Sequence, residues 1–154
     1  MSTLLTIAEQ VRKCTRCPLW KHRLQALPGE GKQNVKLLIV LESPDEIADR
    51  KGNLWDGKVG RQLLQLLKEK KITKDQVFLT SLVKCSPKGS PVDIREIEEC
   101  HEYMKKQIDC LNSLEHIFVI SKKKTLPVID KATYLKEISE LKEELKIAIV
   151  KKKK

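Results

Sequence analysis

Three short apolar runs, separated by stretches of helical periodicity, constrain this chain more than any other feature. Residues 35–41 (VKLLIVL), 76–84 (QVFLTSLVK) and 116–120 (HIFVI) are rich in Val, Ile, Leu and Phe. Runs of that length and composition suit strands buried on both faces, which a parallel sheet covered by helices provides. Between the first two runs, Val59, Leu63, Leu64, Leu66 and Leu67 recur at helical spacing, so a helix is expected over about 59–71. Ahead of the third run, Asp93 and Glu96 form a capping-box pair. The apolar positions Ile94, Ile97, Met104, Ile108 and Leu111 then predict a helix over about 93–111. A short helix over 3–13 opens the chain, and Leu135, Ile138, Leu141 and Leu145 stripe another over 132–145. The fourth strand is expected at 146–150. The fold class is therefore α/β: a three-layer α/β/α arrangement around a four-stranded, mostly parallel sheet. Without an internal repeat or linker, residues 1–150 read as one domain and 151–154 as a basic tail.

The first strand run ends abruptly at Glu42, and residues 42–58 are mostly polar. A long loop in a small domain is commonly functional. This one carries Pro44, Gly52, Gly57 and an isolated Trp55 before the helix that holds Lys58 and Arg61 near its start. Open α/β sheets bind ligands, phosphates in particular, where a strand's carboxyl end leads into a helix N-terminus.

Lys and Arg number 31 against 21 Asp and Glu, a net charge of +10. Such an excess suits a polyanionic partner, although lysine runs at 122–124 and 151–154 also serve as solvated faces. No apolar stretch approaches the ~20 residues a membrane span needs. The first residues lack a signal-peptide layout. The chain reads as a cytoplasmic protein with no membrane partner, acting as a monomer. In that reducing compartment, cysteines favour metal binding or catalysis over disulfides.

There are five cysteines. Cys14 and Cys17 form a Cys-x2-Cys knuckle closed by Pro18, which sets two thiolates on one tight turn. Cys85 at the end of the second strand run and Cys100 on the following helix are the natural second pair. Four thiolates suit zinc or an iron–sulfur cluster, and spacing does not choose between them. Cys110 sits among apolar helix positions and reads as core.

Taken together, these residues resemble the iron–sulfur uracil-DNA glycosylases called family 4. The match runs from about Val11 to Ile120. Cys14, Cys17, Cys85 and Cys100 fall, in order, at the positions of that family's cluster ligands. Lys84-Cys85-Ser86-Pro87 looks like its Lys-Cys-x-Pro segment, and Gln107 falls on a glutamine common in its helix. Gly52 to Gly60 looks like its Gly-x-Pro-Phe-Val-Gly-x-Ala-Gly loop, whose aromatic stacks on an extruded uracil. The resemblance implies a DNA-repair fold with a four-iron, four-sulfur cluster on those cysteines and uracil-containing DNA as partner. It makes Glu42 the catalytic carboxylate, and it assigns substrate binding to Trp55, Ser81, Pro44 and Gly57. Glu42, Trp55 and Ser81 would then share one pocket, with Lys58 and Arg61 as phosphate contacts.

The departures are equally specific. The family's Gly-Glu-Ala-Pro-Gly here reads Leu41-Glu42-Ser43-Pro44-Asp45. Its uracil-reading asparagine in Thr-Asn-x-x-Lys-Cys is Ser81. Its Leu-Gly-x-x-Ala after the third strand is Ile120-Ser121-Lys122-Lys123-Lys124. Its His-Pro-Ser/Ala motif has no counterpart in the 154 residues, and His22, His101 and His116 lie elsewhere in the pattern. Two readings follow: a uracil-DNA glycosylase of weakened chemistry, or a non-catalytic iron–sulfur relative or partner subunit that keeps the fold and DNA affinity.

Overall fold

The computed structural model describes residues 3–123 and 126–152. Lys124 of the first lysine run, and Lys153 and Lys154 of the expected tail, lie outside them. A helix α1 (Leu4–Arg12) is followed by the cysteine knuckle and then a short 3-10 turn at Pro18–Lys21, whose N-cap position is Cys17. Strands β1 (Leu37–Leu41), β2 (Val77–Ser81) and β3 (His116–Ile120) form at the three apolar runs. Between β1 and β2 run α2 (Glu46–Lys51) and α3 (Lys58–Glu69), and α4 (Ile94–Cys110) joins β2 to β3. The Asp93–Glu96 capping box starts α4 as the sequence predicts.

Two local expectations are corrected. Residues 42–58 are not an irregular loop, because Asp45 caps α2 and Asn53 initiates a 3-10 turn at Leu54–Asp56. The fourth strand is β4 (Ala132–Leu135), and residues 146–150 belong instead to α5 (Ile138–Lys152). The physical reason is local. Thr133 and Tyr134 favour an extended backbone, whereas a helix already running from Ile138 extends at the small cost of propagation.

The sheet order is β2-β1-β3-β4, with every pairing parallel. Alternate strand residues face opposite layers, as a two-residue period demands. Leu37, Ile39, Leu41, Val77, Leu79 and Phe118 pack with Leu63 and Leu67 of α3 and Leu141 of α5. Leu38, Val40, Phe78, Ile117 and Val119 pack with Ile97 and Met104 of α4, against which α1 also lies. The connector after the knuckle runs along the free edge of β2, exchanging Glu30–Leu79 backbone hydrogen bonds. Gly29 permits that approach: its φ is +115°, and a Cβ there would sit 2.8 Å from the Leu79 carbonyl oxygen. The chain leaves β1 to one side to make β2, then crosses back to make β3 on the other. The carboxyl ends of β1 and β3 therefore flank the switch point, where open α/β sheets form their ligand crevice.

Candidate active site and cysteine centre

Glu42 directly follows β1 and, by strand parity with Leu38 and Val40, points toward the α4 layer. It accepts a hydrogen bond of 2.6 Å from Ser121 Oγ, directly after β3. Ser121 is itself held twice: its backbone N–H donates to the Leu135 carbonyl at 2.8 Å, and its Oγ accepts from Lys123 N at 3.2 Å. The pair lies at the switch point, and Glu42 lines an open groove with Pro91 to Ile94, Lys122 and Lys123. An acid among lysines at that crevice can serve a charged, extended substrate.

The other expected pocket residues are distributed differently. Leu41 and Ser81 are register partners, and Val83 N donates to the Glu42 carbonyl, so Glu42 and Ser81 do end neighbouring strands. Ser81 is fully buried, however, and its hydroxyl donates to the Val83 carbonyl at 2.6 Å. Trp55 is 1% exposed and packs with Ile39, Leu41, Leu54 and Leu63 in the layer under α3. The Lys74 ammonium lies 5.8 Å from the centre of its ring. Glu42 thus serves the α4 side of the sheet, while Ser81 and Trp55 serve the α3 side. The shared open pocket expected of these three side chains is not what the structure displays. The cause is strand alternation: Leu41 and Glu42 are adjacent and must face opposite ways.

Pro44 and Gly57 are both buried, in a loop organised by Asp45. Asp45 Oδ1 accepts from Ala48 N at 2.9 Å and Oδ2 from Lys58 N at 2.8 Å, so one carboxylate caps both α2 and α3. Gly57 makes room for it, since a Cβ there would lie 2.7 Å from either carboxylate oxygen. The α3 N-terminus, expected to await a phosphate, is occupied by an acid from its own chain. The Lys58 and Arg61 side chains remain exposed on its first turn.

Cys14, Cys17, Cys85 and Cys100 are free thiols that line one small cavity together with Arg16, Arg23, Lys84 and Tyr103. Cys110 is not among its lining residues. Arg23 Nη1 donates to Cys85 Sγ at 3.1 Å and to the Cys14 carbonyl at 2.8 Å. A hydrogen bond between Cys17 and Cys100 pushes the Cys17 thiol up and the Cys100 thiol down. Burial pushes Cys85 up, against the pull of Arg23. Lys84 is fully buried and donates to two neutral oxygens, Thr80 Oγ1 at 2.8 Å and the Ser81 carbonyl at 2.6 Å; burial lowers its pKa to about 7. The same network continues through Thr80 to Gln107 and the Pro28 carbonyl, which accepts from both. Among the described residues, no three Cys, His, Asp or Glu side chains converge on one ion position.

Two further residues matter to which sequence reasoning assigns no role. Asp49 on α2 is fully buried, accepts from the backbone N–H groups of Leu24 and Gln25, and pairs with Lys88. It ties the segment after the knuckle to the turn after Cys85. Nothing in its sequence neighbourhood separates it from an ordinary solvated helix acid. Ser121 is legible in the sequence as a polar residue ending a strand, but sequence order does not reveal that β3 lies beside β1.

Against known proteins, residues 28–148 match the profile of the uracil DNA glycosylase superfamily. A type-4 uracil-DNA glycosylase of Sulfurisphaera tokodaii is 38% identical over 113 residues, covering 72% of this chain and 51% of the relative. One from Saccharolobus solfataricus is 36% identical over 121 residues, covering 77% and 55%. One from Pyrobaculum aerophilum is 35% identical over 109 residues, covering 70% and 56%. The chain thus spans about half the length of the curated relatives it matches.

Proposed function

Because the chain belongs to the uracil DNA glycosylase superfamily, we propose that it is a DNA-repair protein that excises uracil from DNA, with weakened activity. The observation that carries this reading is Glu42, bonded to Ser121 at the switch point and bordered by Lys122 and Lys123 in an open groove. In excision, the nucleotide is flipped out and the bond from C1′ of the sugar to N1 of the base breaks, its electron pair leaving with the base. Water supplies the new C1′ hydroxyl and its proton ends on uracil, so the products are free uracil and an abasic site. The sugar gains oxocarbenium character on the way. A carboxylate held near C1′ stabilises that charge or orients the water, and Glu42 is the residue for it. Electrostatic help for the departing base is weaker. Ser81 has committed its hydroxyl to Val83, and loss of one such donor typically slows a reaction about 10²–10³-fold.

Cys14, Cys17, Cys85 and Cys100 would hold a four-iron, four-sulfur cluster. Their chemistry fits: four free thiols line one cavity, with Arg23 bonded to a sulfur and Lys84 buried, among the described residues, without a carboxylate partner. A buried ammonium among neutral oxygens is costly, and an anionic sulfur site beside it removes that cost. When bound, the cluster supplies a covalent cross-link between the knuckle, the chain after β2 and α4. DNA would be gripped through its backbone, by Lys58, Arg61, Lys122 and Lys123, in a salt-sensitive manner. The reading makes the protein a monomer of the cytoplasm. Among the described residues no helix is long and apolar enough to cross a membrane.

The burial of Trp55 and the internal bond of Ser81 favour a second reading, in which DNA is bound and the base is not processed. Release of free uracil from single- and double-stranded uracil oligonucleotides by anaerobically prepared protein separates the two. Excision that Glu42→Gln slows strongly, leaving a residual rate measurable in single-turnover assays, supports the first. Tight DNA binding without uracil release replaces it with the second.

A further inference from the structure

We propose that Ser121 is a positioning residue that aims the Glu42 carboxylate, a role that rests on the reading of Glu42 given above. Three contacts fix its hydroxyl. The backbone N–H of Ser121 bonds the Leu135 carbonyl of β4 at 2.8 Å, which pins the residue to the sheet. Its Oγ accepts from Lys123 N at 3.2 Å, which uses an oxygen lone pair. The hydroxyl proton is then directed at Glu42 Oε1, 2.6 Å away. Ser121 is 9% exposed, so water competes poorly for that proton. A carboxylate on a flexible side chain at the lip of an open groove has several staggered positions to choose from. A fixed neutral donor on the neighbouring strand selects one of them without cancelling the negative charge that a developing cation requires. Ser121 also sits on the strand end that completes the switch point with Glu42.

The test is single-turnover uracil release by the full chain, combined with DNA-binding titrations on the same oligonucleotide. Ser121→Ala should slow release roughly tenfold, the scale of a missing hydrogen bond to a charged group, while Kd for the oligonucleotide moves less than about twofold. Ser121→Thr, which keeps a hydroxyl, should recover most of the rate. In a Glu42→Gln background the same Ser121→Ala change should have little further effect, because the two side chains act as one unit. A merely structural serine would slow both backgrounds alike, and that result overturns the proposal. Wild-type release matched by Ser121→Ala overturns it as well, leaving Glu42 as the carboxylate. A wild-type protein that releases no uracil overturns both this proposal and the function on which it rests.

Discussion

Asp49→Asn tests how the cysteine-bearing segments are held together. The Asp49 carboxylate is fully buried and accepts from Leu24 N at 3.1 Å to each oxygen, from Gln25 N at 3.3 Å and from the Lys88 ammonium. Asparagine keeps one acceptor oxygen but replaces the other with an amide donor. That donor must face either a backbone N–H or an ammonium, and neither can accept it. Breaking a buried ion pair costs about 3–5 kcal/mol when the remaining charge has nowhere to go. Here Lys88 is the survivor, and its side chain is 32% exposed, so it can turn to water. The cost therefore falls to that of the charge-assisted hydrogen bonds, about 2–3 kcal/mol. For a domain of this size that lowers Tm by roughly 5–10 °C. Thermal unfolding followed by circular dichroism reads it directly, and Asp49→Asn with Lys88→Met should melt no lower than Asp49→Asn alone. A single-variant Tm within about 2 °C of the wild type, the shift of a sub-kcal/mol change, would refute the view that this carboxylate latches α2 to both segments.

Trp55→Ala should cost about 3–5 kcal/mol in chemical denaturation, as a large ring leaves a packed core. Trp55→Phe should cost distinctly less, and equal stability of the two variants would mean the ring is not a core anchor. Gly57→Ala should cost about 1–2 kcal/mol, because the new methyl displaces Asp45 from two helix N-termini; an unchanged midpoint would show that the cap survives. Replacing Lys58 and Arg61 together with Ala should reduce the salt slope of DNA binding by about one for each phosphate these side chains neutralise, and an unchanged slope would remove both from the interface. Cys85→Ala should lower iron and acid-labile sulfide per chain and also the melting temperature, since metal binding and folding are coupled; full iron content in that variant would exclude Cys85 as a ligand.

What the sequence determined by itself is the set of elements and their burial. The runs at 35–41, 76–84 and 116–120 could only satisfy their apolar side chains on both faces of a covered sheet, and β1, β2 and β3 form there. The Asp93–Glu96 cap and the striping of α3 and α4 are local features, set by backbone hydrogen bonds within a turn or two. The four cysteines that line one cavity were also legible, because the knuckle and the positions of Cys85 and Cys100 restrict where thiols can meet. Tertiary structure alone decided which strand ends became neighbours and which face each side chain took. It placed Ser121, not Trp55, against Glu42, since strand order is set by long-range crossovers and one residue of parity reverses a face. It put Asp45 on the α3 N-terminus, and it made Asp49 a buried latch instead of a surface acid. Those roles depend on groups distant in the chain that only folding brings within hydrogen-bonding range, such as Ser121 and Glu42 or Asp49 and Lys88.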